Sequence, residues 1–179
     1  MTVWNRVQTA GDSSYLCIDM RIGFDAKRVF HNRSGLGEYG RNLIQGITAH
    51  FPEVEAHLYT PKPGKHFSEK GAYSVHFPQT FIGKAFKSLW RSRGVVEDLK
   101  KDQIELYHGL SNEIPLGLKE AGIPAVVTLH DLIFLSHPQF YSPIDAKIYQ
   151  KKFSYAVQTA TKIIAIGEQT LQEVIQWQK

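Results

Sequence analysis

From residue 20 to residue 177 short apolar runs alternate with amphipathic stretches, and this alternation limits the possible folds more than any other feature of the chain. Runs at 21–25, 54–60, 73–77, 104–108, 125–129 and 162–167 read as strands, and 36–51, 82–102, 115–122, 142–161 and 168–177 read as helical. Such alternation predicts the α/β class: a Rossmann-like parallel sheet with helices on both faces and right-handed crossovers. Residues 20–179 are then one domain. Residues 1–19, polar in their middle and without the basic start and apolar centre of a secretory leader, are expected to form an extension outside it.

Composition excludes several classes. A single cysteine, Cys17, rules out an internal disulfide framework. The net charge of +4 suits anionic partners such as nucleotides or phospholipid surfaces without requiring nucleic acid, and none is expected. No run approaches the roughly 20 apolar residues of a membrane span.

Residues 20–47 carry the first chemistry. A short strand leads through a basic loop at 27–34 to Gly35, Leu36 and Gly37, where a helix opens with the apolar stripe Leu36, Tyr39, Leu43, Ile44 and Ile47. The unpaired N–H groups and the dipole of a helix start welcome a phosphate, and glycine lets it come close. The plainer alternative is a capped helix, with Ser34 or Gly35 as cap and Glu38 at the positive end. The letters GLGEYG also match the dinucleotide fingerprint. The context does not: residues 27–34 separate strand from glycines, and the next strand ends in LYTPKP with no carboxylate for a ribose.

The helical stretch 82–102 is expected to break near Gly94, and in it Ile82, Phe86, Leu89 and Trp90 share a face surrounded by Lys84, Lys87, Arg91 and Arg93. Such a stretch either packs its apolar face on the sheet or rests on an anionic membrane surface, with Lys84, Lys87, Trp90 and Arg91 as the contact candidates. Elsewhere, polar residues gather at the carboxyl ends of strands, where open parallel sheets bind ligands: Asp25, His108 with Ser111 and Asn112, and His130 with Asp131. A histidine there can bond a sugar hydroxyl or move a proton, or simply serve as a hydrogen-bonded structural residue. With no His-x₃-His, cysteine pair or dense carboxylate cluster, no metal and no cofactor is expected, and no G-x-S-x-G elbow offers a serine nucleophile.

The segments IGFDAKRVF…SGLGEYGRNLI, LYHGLSNEIP and VVTLHDLIFLSHPQFYSPIDAKIYQKKFSYAVQTATKIIAIGEQT, in this order, resemble the amino-terminal domain of retaining family 4 glycosyltransferases of the GT-B fold, in the mannosyltransferase-like branch that builds polysaccharides and lipopolysaccharides. The resemblance implies that Gly35, Leu36 and Gly37 face the donor pyrophosphate. It implies that His130 contacts the donor sugar with Asp131 orienting its loop, and that His108, Ser111 and Asn112 border the acceptor. Gly167 departs from it, standing where the family commonly has a serine. Implied partners are a nucleotide sugar, a glycan or lipid-linked acceptor and, at the cytoplasmic side, a membrane surface. The donor-gripping residues of such enzymes belong to a carboxyl-terminal domain not present in these 179 residues, so the chain alone is expected to be catalytically incomplete. Two other functions remain open: a non-catalytic glycan- or membrane-binding module, and a nucleotide-binding Rossmann domain.

Overall fold

A computed structural model describes residues 20–178. The 1–19 extension lies outside the described residues. Six strands, β1 (Met20–Asp25), β2 (Val54–Tyr59), β3 (Tyr73–His76), β4 (Leu106–Gly109), β5 (Ala125–Leu129) and β6 (Lys162–Ala165), form one sheet in the order β3-β2-β1-β4-β5-β6. Every pairing in it is parallel. The α/β Rossmann-like fold expected from the alternation is therefore present.

The central strand shows why the sheet is covered on both sides. Ile22 and Phe24 of β1 join a core with Ala56, Leu58, Val29, Phe30 and Ile44, the last three from α1 (Lys27–His31) and α2 (Gly35–His50). Gly23, between them, turns to the other face. A Cβ there would stand 3.0–3.2 Å from Leu99, Ile104 and Tyr59, so its absence lets the crossover helix lie close to the sheet. That opposite core holds Trp90, Val95, Leu99, Tyr107, Val127 and Phe153.

Three local expectations are corrected. Residues 27–34 are not all loop: 27–31 form the single-turn α1, because the adjacent apolar pair Val29 and Phe30 can reach the core only from a turn of helix. Residues 115–122 form hydrogen-bonded turns rather than a helix, with Gly117 and Gly122 both at positive φ. The 82–102 stretch breaks at Phe86, not Gly94: α3 (Phe81–Ala85) and α4 (Lys87–Leu89) flank Phe86, whose ψ of 64° is not helical. A π-helical turn, Trp90–Gly94, then runs into α5 (Val95–Lys101) without interruption.

After β5 come α6 (Ile133–Ser136), a 3₁₀ turn (Pro138–Phe140) and α7 (Pro143–Thr159). The start of α7 is written in the sequence: Pro143 holds the first helical position, and the Ser142 hydroxyl accepts from the Asp145 N–H at 3.1 Å while donating to its carboxylate at 2.7 Å. Finally α8 (Glu168–Trp177) packs Trp177 edge-on against Phe153, ring centroids 5.0 Å apart. No helix among the described residues is long and apolar enough to cross a membrane.

Candidate functional site

In a sheet of this order the chain moves outward from β1 on one side and from β4 on the other, so the crevice opens beyond the carboxyl ends of these two strands. β1 delivers Asp25 there, 3 % exposed. The π-helical turn sends Arg91 to meet it, with Nε 3.1 Å from Oδ1 and an Nη 2.5 Å from Oδ2. The same guanidinium contacts the carboxylate of Glu113, from the loop after β4, and Lys152 of α7 pairs with the other Glu113 oxygen at 2.7 Å. Four segments distant in sequence thus meet in one alternating chain of charge.

Each charge in it is fixed by the next. Burial works against ionisation of Asp25, but Arg91 and Lys27 overcome it and hold the carboxyl below its ordinary range. Burial also opposes the Arg91 charge, and Asp25 with Glu113 outweighs it, so the guanidinium stays protonated. The Lys27 ammonium is pushed down by its own burial and by repulsion from Arg91 and Arg28.

Two cavities adjoin this network. One, of about 300 Å³, is walled largely by apolar groups, among them Leu116, Ile148 and Tyr155, over a floor of Asp25 and Arg91. The other, of about 160 Å³, is bordered by Leu36, Ser111, Asn112, Asp131, Tyr141 and Arg28. Glu113 and Lys152 border both.

The structure therefore brings Leu36, Ser111, Asn112 and Asp131 together around one space. Asn112, at φ 58°, is a clamp: its N–H donates to Thr128 O at 3.0 Å, its side-chain oxygen accepts from the His130 N–H at 2.9 Å, and its amide donates to Asp131 O at 3.0 Å. The Ser111 hydroxyl oxygen is buried without a hydrogen-bond partner. His130 is half-buried behind the loop. Its Nε2 lies 2.8 Å from Leu110 O, and since a carbonyl only accepts, that nitrogen carries a proton, which in the neutral ring leaves Nδ1 as the acceptor. Its ring stands edge-on to Tyr39 at 5.0 Å.

His108 stands apart from this group. It is buried, its Nε2 is 2.9 Å from Thr128 Oγ1, and burial pushes it down to about 4, so it is a neutral interior residue at pH 7. Trp90 and Arg91 also lie inside rather than on an outer face: the indole is 5 % exposed and donates to Asp98 at 2.6 Å. Lys84 and Lys87 are exposed, beside Phe81, Phe86 and Leu89, which are 87 %, 63 % and 55 % exposed.

At the start of α2 the three glycine-loop residues differ. A Cβ on Gly37 would fall 2.1 Å from Asn32 O, so this glycine allows the helix to pack against its own approach. Gly35 has open space around it. The Ser34 hydroxyl makes no cap bond and turns back to Asn32 Oδ1 at 2.6 Å, while Glu38 pairs with Arg41 at 2.8 Å. Gly167 precedes α8 in extended conformation, with no side-chain cap there.

Sequence reasoning missed Arg91, Glu113 and Lys152 as parts of one site. The available signal was Asp25 itself, since an acid at the end of a strand buried on both faces needs a cation.

A doubly wound parallel sheet with polar groups and cavities at its switch point defines a ligand-binding Rossmann-like domain. Residues 33–179 match the sequence model described as Glycosyltransferase Family 4. The chain belongs to that family and is a glycosyltransferase domain, whose substrates are a sugar donor and an acceptor. No curated protein matches it.

Proposed function

We propose that the chain is the amino-terminal, acceptor-side half of a retaining GT-B enzyme that moves a sugar from a nucleotide-sugar donor to a glycan or lipid-linked acceptor. The observation that carries this reading is the gathering of Leu36, Ser111, Asn112 and Asp131 around one cavity at the start of α2. The donor diphosphate lies against Gly35, Leu36 and Gly37, where Ser34 makes no cap bond and the first-turn Glu38 carboxylate is paired with Arg41. His130, with Nδ1 free to accept, bonds a hydroxyl of the donor sugar, and Asp131 and Asn112 hold its loop. The acceptor enters beside Ser111 and Asn112, with buried His108 supporting that wall through Thr128 rather than touching ligand. Fixed positive charge for the leaving diphosphate comes from a second domain across the crevice, so no metal or cofactor is needed for transfer.

Calorimetric titration with a panel of nucleotide sugars tests this, together with assays of transfer with and without the second domain. Binding weakened at least about tenfold in Arg28→Ala and Asn112→Ala, with transfer only when both domains are present, is expected. No binding by any nucleotide sugar and no transfer by the two-domain protein would sink the proposal.

A membrane-facing role has one specific support, the exposed Phe81, Phe86 and Leu89 flanked by Lys84 and Lys87. In this reading the enzyme works at the cytoplasmic face of a membrane, and the chain would bind anionic vesicles in a salt-dependent way.

A further inference from the structure

We propose that His57, His76 and Asp102 form a binding site for a zinc-class divalent cation, which ties the edge strand β3 to β2 and to the end of α5. None of the three borders either cavity of the crevice.

The site follows from the register of the sheet. His57 and Tyr59 are two residues apart on β2 and so face the same way, and Tyr59 pairs with His76 on β3. Asp102 caps the carboxyl end of α5 and meets them from the helical layer. His57 Nδ1 is 3.0 Å from His76 Nε2, and His76 Nδ1 is 3.1 Å from Asp102 Oδ2. One donor atom from each of the three residues lies within 4.8 Å of the other two. Ligands of a tetrahedral zinc with bonds of about 2.0–2.1 Å stand roughly 3.4 Å apart, so capture of the ion requires each group to shift by about 1 Å or less. The three side chains are 14 %, 25 % and 22 % exposed, and His76 lies on the edge strand.

The chemistry is that of a two-histidine, one-carboxylate site with a position left for water. The Tyr59 hydroxyl donates to Asp102 Oδ2 at 2.7 Å and orients the carboxylate, as partners outside the ligand sphere do in metal sites. On the far side of the His57 ring, Glu55 lies 3.8 Å from Nε2 and is itself paired with Arg21 at 2.8 Å. The ligand positions, 57, 76 and 102, are too far apart in sequence for any short-spacing search to find them. An ion here would be structural, clamping a four-residue edge strand that is otherwise held along one side.

Titration of the chain with Co²⁺, read by its visible d–d absorption, tests the proposal. The expected result is a single site of micromolar or better affinity, displaced by Zn²⁺, and a rise in Tm with Zn²⁺ but not with Mg²⁺. His76→Ala and Asp102→Asn, checked for folding by circular dichroism, should each weaken binding at least about tenfold, while His50→Ala and His137→Ala leave it unchanged. Should His76→Ala not fold, His57→Gln with Asp102→Asn carries the same comparison. No Co²⁺ binding in this range, or binding that persists without His57 and Asp102, would mean a hydrogen-bonded His–His–Asp chain and overturn the metal site.

Discussion

The guanidinium of Arg91 closes on both carboxylate oxygens of Asp25, across 66 residues of sequence and inside the molecule. Paired and bidentate, the two charges satisfy one another; separated, each is a buried ion without a counter-charge. Asp25→Ala or Arg91→Ala should therefore cost about 3–5 kcal/mol by chemical denaturation. Because the Asp25 pKa is lowered from its ordinary 3.8, its contribution is complete above that value and is lost as pH falls through the lower, folded-state value. Acid titration of stability should show this loss in the wild type and not in Asp25→Asn.

The glycine loop separates folding from binding. Gly37→Ala places a methyl on Asn32 O and should destabilise by about 1–3 kcal/mol, the usual cost of overpacking. Gly35→Ala meets open space and should leave Tm within a few degrees of the wild type, yet weaken nucleotide-sugar affinity if the donor phosphate approaches this backbone. Paired thermal melts and calorimetry would distinguish the two positions.

Trp90 tests the fold rather than a membrane. Its burial predicts a loss of about 3–5 kcal/mol in Trp90→Ala, compounded by the unpaired Asp98. The vesicle contact, in contrast, should respond to Phe81→Ser with Phe86→Ser: co-sedimentation with anionic vesicles should drop while Tm is unchanged.

His108 should make the protein less stable in mild acid. Held at about 4 in the fold against an ordinary 6.5, it takes up its proton later than the unfolded chain does. Stability then declines as pH falls from 6.5 towards 4, by on the order of 3 kcal/mol, and this component levels off below that. His108→Gln, which can still bond Thr128, should flatten the decline, as urea melts at a series of pH values would show.

Much of this architecture is legible in residue order. Strand β5 is a β-branched run, α8 opens and closes where its periodicity does, and Ser142, Pro143 and Asp145 announce α7. The stretch around Trp90 was misread for a definite reason. The chain leaves helical conformation at Phe86 and enters a π-helical turn at Trp90, so a stripe counted at α-helical spacing does not hold one face across 86–90. Phe86 and Leu89 consequently face out while Trp90 and Arg91 face in. The site was half legible: strand ends located Ser111, Asn112 and Asp131, but the cations that meet Asp25 and Glu113 come from segments whose proximity only the closed sheet creates.

The join of Asp25, Arg91, Glu113 and Lys152 also bears on when the site comes into being. Its links span 66, 22 and 39 residues: the first two wait on closure of the crossover from β3 to β4, and the third on the return of α7 to the sheet. Contacts of such separation carry a loop-closure cost that must be met before they stabilise anything. A nascent or partly unfolded chain could carry every strand and still have no floor to its crevice, which makes recovery of ligand binding a late clock for refolding.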